Sequence, residues 1–463
     1  MDALRPALRH AIDVIKGSAV AKSLANLRAE SKRTVLVLAR RHLSRAVRGA
    51  ASARLRRRLS RVIGQPFLEQ IERRLQSLGV PIAVELWNGR TIQTNASPRI
   101  KLYVRAPRAL AELARPTLGK LAESYVKNRI DFEGAIDDAI RLGESLCGRK
   151  EIEARSTRRK FSWRHPRRPR DEEAIRRHYD ISNEFYSLWL DRNLVYSCAY
   201  FKRDDDPLDR AQEQKLEHIC RKLQLAPGER FLDIGCGWGG LLFWAAARFG
   251  VRATGITLSA RQHEYVNHEI DARGLAGQVE VRLEHYRDTP ENEPFDKIAS
   301  VGMFEHVGLQ NLPAYFGKIR RLLKTGGLVI NHGITAGWPA NTEGLGGDAG
   351  DFIERYVFPG GQLVHLAKVV EIMASRALEI RDAECLRPHY AKTLGHWVDR
   401  LEARREEALR LVGEERYRIW RIYMAGSANA FARGRISVFQ ILAGKALEDG
   451  SLPLPLTRGH LYA

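Results

Sequence analysis

The sequence is poor in cysteine and has no long apolar segment. Its five cysteines form no C-x-x-C pair and no zinc-like spacing, which predicts no metal site and no disulfide framework and fits a reducing cytoplasm. The apolar run TVLVLA at 34–39 is far shorter than the roughly 20 residues that cross a bilayer. The N-terminus lacks the apolar core of a secretory signal. It resembles a transit peptide in being rich in arginine and poor in acids, but we prefer a basic amphipathic extension.

Basic residues are in excess and unevenly spread. The 463 residues carry 76 Lys/Arg and 55 Asp/Glu, a net charge of +21, which predicts an anionic partner such as nucleic acid, a lipid surface or an acidic substrate. Residues 1–63 hold sixteen Lys/Arg and three Asp/Glu, hence about +13. Their helical spacing fits either a solvated extension or a phosphate-binding surface element, and both interpretations stay open.

The remaining chain divides into three regions. In residues 64–148, strand patterns such as PRIKLYVRAP alternate with helix patterns such as FEGAIDDAIRLGESL, which predicts a small α+β accessory domain. Residues 149–173 are basic, contain proline and have no period, so they are interpreted as a linker. In residues 174–463, strands and helices alternate, which predicts an α/β fold with a parallel, doubly wound sheet. We expect the last hundred residues to be mainly helical.

The stretch FLDIGCGWGG at 231–240 fits two nucleotide-binding patterns. The dinucleotide fingerprint G-x-G-x-x-G requires an acidic residue at the end of the next strand, but that strand ends GITLS and the first carboxylate beyond it is Glu264, inside a predicted helix. The pattern D-x-G-x-G-x-G, typical of S-adenosylmethionine loops, is complete from Asp233. Its glycines let the backbone approach a ligand, and the aspartate can meet an ammonium group. The alternative is a tight turn without a ligand.

Further stretches resemble a single family. They are RRHYDISNEFYSLWLD, YSCAYF, GITLSARQ, ASVGMFEHVG, KTGGLVINHGI, YVFPGGQL and HYAKTLGHW, and PTLGKLAESYVKNRIDFEG resembles the family's accessory domain. The family is the cyclopropane-fatty-acyl-phospholipid synthases, which include the mycolic acid cyclopropane synthases, and the resemblance covers about residues 64–445. It implies a class I methyltransferase sheet, here with a small N-terminal α+β domain and a basic helical extension.

The resemblance implies an uncommon reaction and a set of catalytic residues. A cis double bond attacks the methyl of S-adenosylmethionine, and a bound bicarbonate takes a proton from the added methyl as a cyclopropane ring closes. The bicarbonate ligands map onto Cys198, Glu305, His332, the backbone carbonyl of Ile334, and Tyr390. Glu305 follows the fourth predicted strand and His332 closes the fifth, so both are expected at the carboxyl edge of the sheet. Each residue alone also has a plain structural interpretation, as a core, capping or packing side chain.

The cofactor residues combine the glycine loop with the resemblance. They are Tyr196, Ser197, Asp233, Gly235, Gly237, Thr257, Leu258, Gln262, Glu284 and His285. Thr257 and Gln262 take the place of the missing acidic ribose clamp. After the third strand the family commonly has an acidic residue near the adenine amino group, whereas this sequence has His285 there, beside Glu284.

The expected partner is an anionic membrane with unsaturated phospholipid chains, since the resemblance implies a cytoplasmic enzyme peripheral to the inner face of the membrane, and a possible homodimer. The basic tail and linker suit such a surface. One alternative is a related lipid methyltransferase that gives a methyl-branched or methylene product. A second acts on a small amine, against which the accessory domain and the tail argue. A third, a nucleic-acid-binding protein, lacks a recognition module, so we expect no nucleic-acid partner.

Overall fold

The structure is a computed structural model, and it describes residues 72–73, 75–77, 81–94, 97–147, 182–337, 348–358 and 361–462. The basic extension expected at 1–63 and the linker expected at 149–173 lie outside the described residues. Across the described part, no helix combines the length and apolar character that spanning a bilayer requires.

A small α+β domain contains a four-stranded sheet in the order β2-β1-β3-β4. Its strands are β1 (Ile82–Leu86), β2 (Thr91–Gln93), β3 (Ile100–Val104) and β4 (Ile130–Glu133), and its helices are α1 (Arg108–Ala114), α2 (Leu118–Val126) and α3 (Ile136–Cys147). Side chains of β3 alternate between buried and half-buried, as expected for a sheet with one covered face. The residues FE at 132–133, expected to begin a helix, belong to β4, because antiparallel pairing with β3 extends through Glu133.

The larger sheet has seven strands in the order β10-β11-β9-β8-β5-β6-β7. They are β5 (Arg230–Ile234), β6 (Arg252–Thr257), β7 (Val279–Leu283), β8 (Phe295–Val301), β9 (Leu323–Ala336), β10 (Glu379–Cys385) and β11 (Ile436–Gly444). Strands β5 to β9 pair in parallel, and β11 lies antiparallel between β9 and β10. The predicted doubly wound α/β class is confirmed.

Helices cover both faces of this sheet. They are α4 (Asn183–Ser187), α5 (Leu208–Lys222), α6 (Gly240–Phe249), α7 (Ala260–Ala272), α8 (Phe304–Val307), α9 (Leu312–Leu322), α10 (Asp348–Tyr356), α11 (Leu366–Ser375), α12 (Arg387–Ala403) and α13 (Arg405–Ala432). The expectation of mainly helical structure in the last hundred residues missed β10 and β11. The run ISVFQILAG is buried on both faces in β11, and such short apolar runs do not distinguish a strand from a helix.

Strand β5 separates two hydrophobic cores. Phe231 packs in a core with residues of α5, α6 and α7, whereas Leu232 and Ile234 pack in a core with residues of α9 and α11. Successive side chains of a strand point to opposite faces, so Asp233 faces the same side as Phe231, toward α5. A buried carboxylate is thereby directed at one particular helix.

Candidate active site

A cavity lies at the carboxyl ends of β5, β6 and β8. Strand order reverses between β5 and β8, and ligands of doubly wound sheets bind outside such a point. All ten residues predicted to bind S-adenosylmethionine line this cavity. Its lining also includes Lys215, Trp238 and His306, which the sequence analysis did not single out.

The glycine loop after β5 forms one wall of the cavity. Gly235 has a φ of +81°, and a Cβ there would stand 2.5 Å from Cγ of Met303, so only glycine fits. Gly237 also has a positive φ, but a Cβ there would meet nothing within 4 Å. The first glycine is therefore required by packing, while the second leaves open room beside the cavity for a ligand.

Asp233 is the buried acidic group of the cavity, whose lining also includes the half-buried Glu284. It is 3% exposed, and its Oδ1 has no hydrogen-bond partner in the part of the chain that the structure describes. Burial raises its pKa to about 7, against the opposing influence of Lys215. An unpartnered buried acceptor of this kind fits a cationic ligand group, and the ammonium of S-adenosylmethionine is such a group.

Helix α5 holds the loop that carries Tyr196 and Ser197. The side-chain amide of Gln212 donates to the backbone oxygens of Val195 at 3.2 Å and Ser197 at 2.8 Å. Nζ of Lys215 donates to Oγ of Ser197 at 3.0 Å. The sequence does carry a signal for these residues, because Gln212 and Lys215 fall at buried positions of an amphipathic helix, where polar side chains need a partner.

The other cofactor residues are ordered by local hydrogen bonds. Oγ1 of Thr257 donates to Oε1 of Gln262 at 2.8 Å, which pairs the two neutral groups expected in place of an acidic ribose clamp. Glu284 accepts from Thr289 at 2.9 Å, and Nδ1 of His285 accepts from the amide of Arg287 at 3.1 Å. His285, which stands where the family commonly has an acidic residue, thus lies in the cavity wall, as predicted from the sequence.

Glu305 and Ile334 are in direct contact. The amide of Ile334 donates to Oε1 of Glu305 at 2.6 Å, while Oε2 has no hydrogen-bond partner among the described residues. Burial raises the pKa of this carboxyl to about 7, and the amide opposes the rise. The N–H and C=O of one strand residue point to the same side. The carbonyl of Ile334, the predicted anion contact, therefore also faces the side of β9 on which Glu305 lies.

His332 lies two residues earlier in β9. The expectation that it closes the strand is wrong, because β9 continues to Ala336; its neighbour β8, however, ends at Val301, which pairs with His332. Nδ1 of His332 is 3.1 Å from Nε2 of Gln440, and its own Nε2 has no partner in the described structure. Burial lowers its pKa well below the usual range. A neutral ring that accepts from Gln440 carries its proton on Nε2 and can donate it to an anion.

Cys198 and Tyr390 meet at Leu386. The oxygen of Leu386 accepts from the amide of Tyr390 at 3.0 Å and lies 3.7 Å from Sγ of Cys198, whose nearer acceptor is the oxygen of Ala199 at 3.2 Å. Its amide donates to Val438, the residue of β11 that pairs with Ile334. Burial raises the pKa of the Cys198 thiol, so it stays protonated. Backbone and side-chain contacts therefore link Cys198, Glu305 and Ile334 with the first turn of α12, which carries Tyr390, while His332 lies two residues from Ile334 in β9.

The predicted catalytic residues, called the catalytic cluster below, and the predicted cofactor cavity are neighbours; the cluster consists of Cys198, Glu305, His332, Ile334 and Tyr390. The cavity lining includes His306 and Val307, which follow Glu305 in the sequence. It includes none of the five residues of the catalytic cluster. Lys215 acts electrostatically on both Cys198 and His332. A site with a carboxylate acceptor, an imidazole donor and almost no exposure to water suits a small anion that carries a hydroxyl group.

A second cavity lies between the small domain and helices α10 and α13. Apolar side chains of β3, β4, α2 and α3 form one wall, and those of α10 and α13 form the other. Its polar side chains include Glu144, which accepts from Asn429 and Arg435. Apart from these few groups the lining is suited to hydrocarbon.

One layer of aromatic rings separates this apolar cavity from the candidate active site. Tyr423 lines the cavity, and its ring centroid is 5.6 Å from that of Phe358, which is in turn 5.5 Å from the ring of His306. Phe431 follows the lining residue Ala430, and its ring is 4.6 Å from that of Tyr390. The second cavity therefore adjoins both the cofactor cavity and the catalytic cluster.

Comparisons with known proteins identify the family and the fold of the chain. A family model described as mycolic acid cyclopropane synthetase matches residues 166–441, and a domain of unknown function matches residues 71–145. The chain is 44% identical over 401 residues to a probable fatty acid methyltransferase of Pseudomonas putida, which covers 86% of this chain and 100% of that protein. It is 36% identical over 273 residues to the cyclopropane-fatty-acyl-phospholipid synthase of Escherichia coli. This match covers 59% of this chain and 68% of the Escherichia coli protein. Among solved structures, mycolic acid cyclopropane synthase CmaA1 complexed with SAH and CTAB is 34% identical to this chain, with a TM-score of 0.55. The match covers 59% of this chain and 97% of the chain in that structure.

Proposed function

The chain belongs to the mycolic acid cyclopropane synthetase family of S-adenosylmethionine-dependent methyltransferases, and from that premise we propose that it forms cyclopropane rings on unsaturated acyl chains of membrane phospholipids. The π electrons of a cis double bond form a bond to the methyl carbon as its bond to sulfur breaks. A proton is then lost from the added methyl, and the ring closes. One observation carries the proposal: Oε2 of Glu305, buried beside the cofactor cavity, has no partner among the described residues.

The proposed acid–base roles follow from the protonation states. Bicarbonate, when bound, supplies the base that accepts the methyl proton. Glu305 accepts a hydrogen bond from its hydroxyl and raises its basicity, while Nε2 of His332 donates to it. The Ile334 carbonyl, Tyr390 and Cys198 complete the site. Since the Cys198 thiol is protonated and the His332 ring is neutral, neither adds a negative charge that would repel the anion.

Exclusion of water is the second contribution of the chain. An alkene is a poor nucleophile, so alignment must supply much of the rate, and water would capture the carbocation on the acyl chain. Cys198 and His332 are at most 2% exposed. Aromatic rings surround Tyr196, with the centroids of Trp189 and Trp397 at 5.5 and 5.4 Å. Their faces can stabilise positive charge near the reacting carbons.

The apolar cavity between the small domain and α13 accommodates the hydrocarbon chain in this proposal. Its lining is mainly apolar, and a single layer of rings that includes Phe431 separates it from the predicted catalytic residues, so these rings would have to turn aside to admit the chain. The methyl end of an acyl chain held there would place the double bond near Tyr390. The depth of the cavity would then select which double-bond positions react.

The membrane is reached, in this proposal, through the basic segments at 1–63 and 149–173, both outside the described residues. Each basic group close to an anionic lipid surface contributes about 1 kcal/mol. Co-sedimentation with anionic liposomes at low and physiological salt, for the full chain and for a version without residues 1–63, tests this part. Equal binding of the two proteins would contradict it.

The product is tested with purified protein, liposomes of unsaturated phospholipid and S-adenosylmethionine carrying a trideuterated methyl group. A cyclopropane product retains two of the three deuterium atoms and, unlike a methylene-branched chain, resists ozonolysis. Mass spectrometry before and after ozone therefore separates the two. A labelled chain that ozone cleaves at the new carbon would replace ring formation with the methylene alternative.

A further inference from the structure

Lys215 is a buried lysine of the cofactor cavity that the proposed reaction leaves without a role. It is 2% exposed, and Nζ donates to Oγ of Ser197 at 3.0 Å. No carboxylate oxygen of a described residue lies within 4.0 Å of this nitrogen. Burial lowers its pKa to about 8, against the influence of Asp191, so the amine is mainly charged at neutral pH. A buried cation with a neutral partner is costly unless an anion joins it.

The nearby acidic groups do not satisfy this cation. Both oxygens of Asp191 accept backbone bonds, from Val195 at 2.8 Å and Asn193 at 2.9 Å, and this residue is not part of the cavity lining. Asp233 does line the cavity and faces α5, but it makes no ion pair with Lys215. The cavity thus presents one buried cation and one buried anion, each of which lacks a charged partner.

A ligand with an ammonium and a carboxylate on one carbon complements this arrangement, and the amino-acid end of S-adenosylmethionine has that form. We propose that Lys215, together with the Ser197 hydroxyl that it positions, binds the carboxylate of this end of the cofactor. Ser197 accepts from Nζ, which leaves its own hydroxyl hydrogen free to donate, and the ammonium of Lys215 has two further hydrogens. Asp233 then receives the ammonium group on the other side of the same carbon.

The catalytic anion is the competing ligand for Lys215, since the lysine also acts electrostatically on Cys198 and His332. Two observations favour the cofactor. Lys215 belongs to the lining of the cofactor cavity, whereas Cys198 and His332 do not. Its hydrogen bond goes to Ser197, which is itself part of that lining.

The test measures binding of S-adenosylhomocysteine and of its decarboxylated analogue, S-adenosyl-3-thiopropylamine, to the full chain by calorimetry in bicarbonate-free buffer. We expect Lys215→Met to weaken S-adenosylhomocysteine by roughly 10- to 100-fold and to leave the analogue unchanged, because only the former carries the carboxylate. Lys215→Arg should retain part of the preference for S-adenosylhomocysteine over the decarboxylated analogue. Lys222→Met is the matched control: this lysine is also buried in α5 but pairs with Glu384 at 2.6 Å outside the cavity.

Two outcomes would overturn the assignment. Equal weakening of both ligands by Lys215→Met would mean that the lysine only shapes the loop of Ser197. Unchanged affinity for S-adenosylhomocysteine, with a lost response of turnover to added bicarbonate, would assign it to the catalytic anion. Thermal unfolding without ligand shows whether the variant folds, and Lys215→Gln supplies the same comparison if the methionine variant does not. The binding measurements involve no lipid, so their result is independent of the proposed product.

Discussion

The backbone amide of Ile334 donates a 2.6 Å hydrogen bond to Oε1 of Glu305, and the contact fixes a buried carboxyl group at the carboxyl edge of the large sheet. Strand β8 ends at the level of His332, so the amide two residues later has no ladder partner on that side and is free to hold a side chain. Because burial raises the pKa of Glu305 to about 7, the group can take either protonation state near neutral pH.

Glu305→Gln tests the catalytic role of this group. The substitution keeps the shape and the acceptor for Ile334 but removes the charge that would act on the bound base. We expect ring formation to fall at least about 100-fold while the affinity for S-adenosylhomocysteine changes less than about twofold. Labelled-product assays and calorimetry measure the two effects. Glu371→Gln, at a glutamate exposed on α11, is the control, and intact turnover in Glu305→Gln would refute the role.

The same variant makes a prediction about stability and pH. The folded pKa of Glu305, about 7, lies above its ordinary value of 4.5, so between these values the folded state binds a proton that the unfolded state has lost. The stability of the parent protein must therefore fall as pH rises through this window. In Glu305→Gln the free energy of unfolding does not fall with pH for this reason, because glutamine does not titrate. The free energy of unfolding of the variant minus that of the parent should therefore rise by up to about 3 kcal/mol between pH 4.5 and 7. Urea unfolding of both proteins measures the difference, and a constant difference would contradict it.

The sequence predicted which residues lie at the carboxyl edge of the sheet, but it did not predict the side chains that surround them. Motif spacing placed Glu305 and His332 at the carboxyl edge of the sheet, because parallel strands bring their carboxyl ends together, although His332 lies within β9 and not at its end. It did not identify Gln440, whose side-chain amide lies 3.1 Å from Nδ1 of His332, because this residue lies more than a hundred positions away in β11, a strand that was itself missed. Lys215 was missed for a related reason: a lysine in an amphipathic helix ordinarily lies on the solvated face.

Asp233→Asn tests the acidic end of the cofactor cavity. The pKa of Asp233 is about 7 without ligand, and an ammonium group favours the ionised form. Below pH 7 the ligand must displace a proton, so the affinity for S-adenosylhomocysteine should weaken by up to about tenfold per pH unit as the pH falls. In Asp233→Asn the affinity should be lower at pH 7.5 and nearly independent of pH in this range. Calorimetry from pH 5.5 to 7.5 measures it, with Asp205→Asn, at an exposed aspartate, as control. Parallel pH profiles for Asp233→Asn and the parent would show that this carboxyl is not the group involved.

Alanine substitutions at Gly235 and Gly237 should distinguish a glycine that protein packing requires from a glycine that leaves space for the ligand. Both residues have positive φ, so each substitution carries a similar backbone cost of about 1 kcal/mol. In Gly235→Ala the new methyl also collides with Met303, so we expect a clear loss of thermal stability. In Gly237→Ala the methyl meets no protein atom and instead enters the room left for the ligand, so cofactor affinity should fall more than stability. Comparing unfolding midpoints with calorimetric affinities tests the distinction, and the reverse pattern would show that the loop is oriented differently toward the ligand.

Gly426→Leu tests whether the second cavity holds the acyl chain. Gly426 lies on α13 in the cavity lining, and a Cβ there meets nothing within 4 Å, so a leucine side chain would fill space that the proposal assigns to hydrocarbon. Leucine also favours a helix over glycine by close to 1 kcal/mol, so stability should not fall. We expect long acyl chains to lose roughly tenfold in rate relative to short ones, with the affinity for S-adenosylhomocysteine unchanged. Gly395→Leu, at an equally open helical glycine of α12 outside the cavity, supplies the control. If both variants show the chain-length profile of the parent, the acyl chain lies elsewhere.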